Sequence, residues 1–194
     1  MNFPDRSTEC GALINSYLTN SQEFNGETIH LLFTLNRWEA RKNMEDLLKD
    51  GVTLVVDRYA YSGVAFSAAK GLDTEWCKAP EKGLIKPDLV LLLKLSAAAI
   101  AQRGGFGTER WALCLQTSQP NSFDAMVPSH FSYEIPELQQ KVMKMFDFLK
   151  DEGYWTEINA DKTPDDLHTE LLAHVQRIVA DASGKELGSL WWNS

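Results

Sequence analysis

Apolar positions recur at helical spacing over about 10–19, where Leu13, Ile14, Tyr17 and Leu18 share a face behind the capping sequence Ser7-Thr8-Glu9. Asn25-Gly26 breaks the chain, and a longer helix is predicted over about 27–49 with Ile29, Leu32, Phe33, Trp38, Leu47 and Leu48 as its apolar positions. Gly51 ends it. The run Val52–Asp57 is short, apolar and β-branched, the pattern of a buried strand. Short helices are predicted near 61–69 and 73–79. Lys86-Pro87-Asp88 leads into Leu89–Leu95, apolar at nearly every position, as expected of a parallel strand covered on both faces. Ser96 caps a helix through Gln102. A third, weaker strand is predicted over Trp155–Ala160. A last helix covers about 164–181, with Leu167, Leu171, Leu172, Val175, Ile178 and Val179 on one face. Strands alternating with helices give an α/β reading with a parallel sheet.

One stretch breaks this pattern. Trp111–Ser132 has no sustained period, holds two prolines, and carries one formal charge, Asp124, in 22 residues. It reads as a surface loop or an insertion, since long structureless segments are uncommon inside compact domains.

At 194 residues, 44% hydrophobic and 24% charged, the chain has the size and composition of one globular domain with a substantial core. A net charge of −8 disfavours non-specific binding to nucleic acid or to anionic membranes. No apolar run reaches membrane-spanning length, and Met1–Ser7 lacks the pattern of a secretory signal. Cys10, Cys77 and Cys114 are widely spaced, with no C-x-x-C, so neither a zinc site nor a disulfide framework is indicated. A reducing, cytoplasmic compartment is the expectation, with nuclear and mitochondrial placement left open.

The chemistry concentrates at Asp57-Arg58-Tyr59-Ala60-Tyr61-Ser62-Gly63, directly after the predicted strand. Open α/β sheets bind ligands beyond the carboxyl ends of their strands. An arginine there offers a planar fork to phosphate oxygens, and an aspartate can hold magnesium through water. No G-x-x-x-x-G-K-[ST] phosphate loop occurs in the sequence. His30, His168 and His174 sit at helical positions with no expected partner, and none is read as catalytic.

Six segments together resemble the thymidylate kinase family, in its eukaryotic form. Phe3-Pro4-Asp5-Arg6-Ser7-Thr8 is similar to the family's phosphate-binding segment, and His30–Glu39, with Phe33 and Arg37, to its thymine-binding helix. Asp57–Phe66 resembles its Asp-Arg-Tyr signature, and Lys86–Leu91 the strand that follows. Arg103–Arg110 resembles its lid, and Gly188–Trp191 its carboxyl end. The resemblance implies a single P-loop nucleoside-monophosphate-kinase-like domain over 1–194, with a parallel sheet and helices on both faces. It implies ATP-dependent, Mg2+-assisted phosphorylation of dTMP to dTDP in dTTP biosynthesis, by a homodimer.

On that resemblance Arg58 and Arg6 bind the dTMP phosphate and Asp57 organises magnesium. Phe33 stacks on thymine, Arg37 bonds its edge, and Phe66, Ser62 and Gly63 wall the pocket. Tyr133 and Gln139 lie near the nucleoside. Arg103 and Arg110 cover the transferred group, and Asp161 and Lys162 pack near the adenine of ATP.

Two departures qualify the resemblance. The family's first strand, P-loop and P-loop helix have no counterpart in these residues, so residues 1–7 are expected to fray and the sheet to have an unfilled slot between 52–57 and 89–95, leaving Val55 and Leu91 under-covered and solubility poor. The lid residues Glu109-Arg110 and Tyr133-Glu134 are split by 111–132. The chain by itself is therefore expected to be inactive or nearly so. Two alternatives stand beside this: a non-catalytic remnant that binds dTMP or pairs with a full-length subunit, and another deoxynucleotide or deoxynucleoside kinase.

Overall fold

The computed structural model describes residues 1–96, 99, 134–151, 153–182 and 184–192. The predicted helix from Ser96 to Gln102, the lid segment and 111–132 lie outside the described residues, apart from Ser96 and Ala99. Helix α1 (Glu9–Leu18) starts where its cap was expected: Thr8 accepts the Gly11 N–H at 2.9 Å through its hydroxyl. Helix α2 (Gly26–Lys49) is capped by Asn25, α3 spans Ala60–Ala69, and α4 spans Thr74–Lys78 and runs into a single 3-10 turn at Ala79–Glu81. Strand β1 (Val90–Lys94), helix α5 (Glu134–Leu149), strand β2 (Trp155–Asn159) and helix α6 (Pro164–Ala182) complete the order.

Strands β1 and β2 pair in parallel, with Val90 opposite Trp155 and Lys94 opposite Asn159. Strand alternation turns Val90 and Leu92 toward the main core, where they pack against buried Tyr61, Val64 and Ala65 of α3, Val142 and Leu149 of α5, and Trp155. A second cluster joins α1 to α2 through Cys10, Ile14, Leu18 and Ile29. Burying side chains of this size contributes about 1.5–3 kcal/mol each.

Several expectations need correction. Residues 52–57 are extended but make only one ladder bridge, Asn2 with Asp57, so they do not form a regular strand. Their partner is Met1–Phe3: Asp57 N–H donates to Met1 O at 2.9 Å, and Phe3 N–H to Asp57 O at 3.0 Å. Residues 1–7 therefore do not fray, and Phe3 is buried against Met44 and Ile85. Among the described residues no segment joins 52–57 to β1; Val55 is 73% exposed, while Leu91 is half-buried.

Strand β1 is not covered on both faces by the described residues, and Leu93 is 47% exposed. Helix α6 buries none of its residues fully: Leu167, Leu171, Val175 and Ile178 are half-buried, and Leu172 and Val179 face outward. On α2 the fully buried positions are Ile29, His30, Thr34, Asn36, Arg37 and Met44, so much of its inner face is polar. His30, expected to lack partners, is fastened between Ser67 and Cys77. Helix α5 was not anticipated at all.

The carboxyl end closes the molecule. Residues 188–190 run antiparallel to 83–86, with Gly83 N–H donating to Leu190 O at 3.0 Å, Leu190 N–H to Leu84 O at 2.7 Å and Lys86 N–H to Gly188 O at 2.9 Å. Leu190 is fully buried in the main core.

Candidate functional site

The extended 52–57 segment delivers Asp57 and Arg58 to the start of α3. Arg58 adopts φ +61°, a left-handed conformation that non-glycine residues rarely hold. Its side chain is exposed, and its guanidinium carbon lies 5.6 Å from the Phe66 ring centroid, a cation–π contact. The turn lets an exposed Arg58 side chain pack against Phe66, nearly two helical turns into α3. Tyr59 occupies the N-cap position of α3 without a side-chain cap bond, so the first-turn amides of this helix are not capped by a side chain. An arginine beside such a helix start can hold an anionic group. Burial pushes the Tyr59 phenol well above its ordinary range, which keeps it neutral there. The Asp57 side chain is exposed and makes no hydrogen bond or ion pair to the described residues, which leaves its oxygens available to a hydrated cation.

Arg37 is placed from the opposite side. It is 3% exposed, and its Nε donates to Glu81 Oε2 at 3.0 Å while Nη2 bonds Glu81 Oε1. Thr34 Oγ1 donates to the same Glu81 Oε1 at 2.7 Å. The 3-10 turn carrying Glu81 is tied to α2 by Trp38 Nε1 donating to Pro80 O at 2.8 Å and Arg41 Nε to Gly83 O at 3.2 Å. The guanidinium rests on Gly63: a Cβ there would lie 2.8 Å from Arg37 Nη2. Only glycine permits this approach without displacement. Arg37, Gly63 and neighbouring half-buried Ser62 therefore meet at the start of α3.

Phe33, one turn before Arg37 on α2, is half-buried and packs against the α1–α2 cluster. Phe66 is half-buried against the main core. Arg6 is exposed, and its Nη1 donates to Asn15 Oδ1 at 3.1 Å. Gln139 is half-buried on α5. Arg103, Arg110 and Tyr133 lie outside the described residues.

A second group forms beyond the carboxyl ends of β1 and β2. The Asp161 carboxylate accepts the Ser96 N–H at 3.0 and 3.2 Å, and Asp161 N–H donates to Asn159 Oδ1 at 2.9 Å. Lys162 pairs with Glu170 of α6. Asp161, Lys162 and Glu170, with Leu95, Ala160 and Thr163, line an open depression. This second group thus follows the strand-end rule for α/β folds.

Sequence reading missed Glu81, Thr34 and Asn36. The polar letters Thr34, Asn36 and Arg37 interrupting an apolar helix were the available signal for two of them. Glu81 had none, because its partner is 44 residues away. Among the described residues no cluster of three metal-ligating side chains occurs, and no helix is long and apolar enough to cross a membrane.

A parallel α/β fold with an arginine and an aspartate before the start of one helix, and an aromatic and a buried arginine on another, resembles the layout of a P-loop-type kinase. The solved thymidylate kinase of Candida albicans superposes with a TM-score of 0.77 at 32% identity, over 97% of this chain and 84% of that one. The thymidylate kinase family model matches residues 1–171. Thymidylate kinases of Arabidopsis thaliana and Homo sapiens are 45% and 39% identical, over 97% and 98% of this chain. The chain spans 64% of the Arabidopsis protein's length and 81% of the human one's. The chain belongs to the thymidylate kinase family.

Proposed function

We propose that residues 1–194 form the dTMP-binding part of a thymidylate kinase, whose reaction is ATP + dTMP → ADP + dTDP in dTTP biosynthesis. A phosphate oxygen of dTMP attacks the γ-phosphorus of ATP, the β–γ bridging bond breaks, and ADP leaves. The observation that carries this reading is Arg58 at φ +61°, an exposed cation set beside the uncapped start of α3. Backbone strain of this kind costs about 1–3 kcal/mol and concentrates at functional sites.

In this reading Arg58 and Arg6 hold the acceptor phosphate. Arg37, fixed by Glu81, presents its edge to thymine, and Phe33 and Phe66 bracket the ring beside Ser62 and Gly63. Asp57, whose carboxylate has no partner among the described residues, would hold Mg2+ through water, and the ion would supply charge neutralisation at the transferring group. Tyr133 and Gln139 flank the nucleoside, Arg103 and Arg110 cover the phosphoryl group, and Asp161 and Lys162 lie by adenine. A homodimer is the working assembly, through the outward-facing apolar residues Leu31 and Leu35 of α2.

The 194-residue polypeptide by itself is expected to bind dTMP without turning it over, because its sequence offers no P-loop amides, lysine or hydroxyl for ATP and its magnesium. Calorimetric titration with dTMP and with Mg–ATP, beside a coupled ADP-release assay, tests this. Binding of dTMP with no turnover supports the reading; no dTMP binding overturns it. Robust turnover abolished by Arg58→Ala overturns the assignment of inactivity. A strand–P-loop–helix unit fused before Asn2, with 111–132 excised, should restore turnover, and the fused unit alone should restore less.

A further inference from the structure

Asn36 is 1% exposed in the middle of α2, a costly place for a side-chain amide unless every polar atom is used. Both are used, chiefly on the turn at residues 5–8. Oδ1 accepts the Asp5 N–H at 2.7 Å, and Nδ2 donates to the Asp5 carbonyl at 3.0 Å. This copies the two-bond pairing of a neighbouring strand, and the Asp5 donor and acceptor fix which way the amide points. Nδ2 also lies 3.0 Å from Thr8 Oγ1 and 3.2 Å from Glu39 Oε2. Thr8 Oγ1 donates to that same Glu39 oxygen at 2.8 Å and accepts the Gly11 N–H at 2.9 Å. The opposite side of the turn is pressed on Gly11, where a Cβ would sit 1.8 Å from Asp5 O. Inside the turn, the Ser7 N–H and hydroxyl both bond the Asp5 carboxylate, at 3.0 and 2.6 Å.

Residues 5–8 are therefore clamped between Asn36 on one helix and Gly11 on another, and the only long cationic side chain they carry is Arg6, which points outward. Arg37, the next residue along α2 from Asn36, is locked toward Gly63. One helix thus fixes Arg37 directly and the backbone next to Arg6 through Asn36. We propose that Asn36 is a positioning residue for phosphate recognition: it sets the backbone of Asp5, and through it Arg6, while leaving base recognition to Arg37. This rests on the reading of Arg6 as an acceptor-phosphate ligand given under Proposed function.

The test compares dTMP with thymidine, which lacks the phosphate, by calorimetric titration of the full 194-residue chain. For Asn36→Ala the expected result is a loss of about tenfold in dTMP affinity with thymidine affinity unchanged within about twofold. Arg6→Ala should show the same pattern, and the double variant should lose no more than the larger single loss. Glu39→Ala, which loosens the clamp from its exposed side, should shift dTMP alone by a smaller factor and serves where Asn36→Ala does not fold. Equal losses for both ligands, unchanged dTMP affinity, or losses that multiply in the double variant overturn the proposal. An unmodified chain that binds thymidine but gains nothing from the phosphate overturns the role of Arg6, and the proposal with it. An unmodified chain that binds neither ligand overturns the broader reading of the site as well.

Discussion

Arg37 and Glu81 form a two-point ion pair with both side chains almost wholly out of water, at 3% and 0% exposure. The pair spans α2 and the 3-10 turn, so it joins the helix of the candidate base site to the loop leading into β1. Removing one partner leaves the other charge buried and alone. Glu81→Ala is expected to destabilise the chain by about 3–5 kcal/mol, and Arg37→Met combined with Glu81→Leu should recover most of that loss. Urea unfolding followed by tryptophan fluorescence measures both; a double variant as unstable as the single one would show that packing, not charge, is decisive.

Gly63→Ala separates site geometry from stability. The alanine favours the helix by about 1 kcal/mol but places its methyl 2.8 Å from Arg37 Nη2. The guanidinium must move, and Glu81 holds it on the other side. A melting temperature within a few degrees of the parent chain, together with dTMP affinity lowered about tenfold, is the expected outcome. Unchanged affinity would mean that Arg37 does not contact the ligand.

His30 makes stability depend on pH. Its Nε2 faces the Cys77 carbonyl at 3.0 Å, which can only accept, so Nε2 carries the proton and Nδ1 accepts from Ser67 Oγ at 2.8 Å. Burial lowers its pKa below the ordinary 6.5, against the opposing pull of the Cys77 carbonyl and Glu81 and with Arg37 adding to the lowering. The unfolded chain then binds a proton that the folded chain refuses. Stability is complete above pH 6.5 and falls as the pH drops below it, by up to about 1.4 kcal/mol per pH unit, until the folded-state pKa is reached. Denaturant melts at pH 7.5 and 5.5 should show this loss, and His30→Gln should reduce it. An equal loss in both proteins would place the titration on carboxylates.

The helices α1 to α4 were legible because their caps and breaks are local: Thr8, Asn25, Asp73 and Gly51 act within a few residues of themselves. The two strands β1 and β2 and the parallel sense of the sheet followed from apolar runs and strand–helix alternation, but which strands pair did not. What sequence could not carry was partnership across distance. Whether 52–57 becomes a regular strand depends on neighbours, and here Met1–Phe3 provide one short edge. Periodicity also ranked Leu47 and Trp38 of α2 above Asn36 and Arg37, although burial runs the other way for Trp38, at 37% exposed. Buried polar side chains earn their place through partners such as Glu81 and Asp5, which no local pattern reveals. Helix α5 was not predicted, although Leu138, Val142, Met145 and Leu149 have helical spacing.

Leu190→Ala probes the carboxyl-terminal closure. The side chain is fully buried in the main core, so the truncation should cost about 2–5 kcal/mol. Trp192, 70% exposed two residues on, is the control, and its replacement by alanine should change stability by less than about 0.5 kcal/mol. Comparable losses at both positions would show that the tail acts as a unit rather than through Leu190.

That closure also sets an order of events during biosynthesis. Leu190 fills the space beside Leu84 and hydrogen-bonds its carbonyl at 2.7 Å, across more than a hundred residues of chain. A growing polypeptide still threaded through the ribosomal exit tunnel has α1 to α5 outside while this keystone is inside. The main core stays incomplete around Leu84 until residue 190 has left the tunnel. Until then the nascent chain presents apolar surface of the kind that chaperones shield, and its final packing follows the emergence of residue 190.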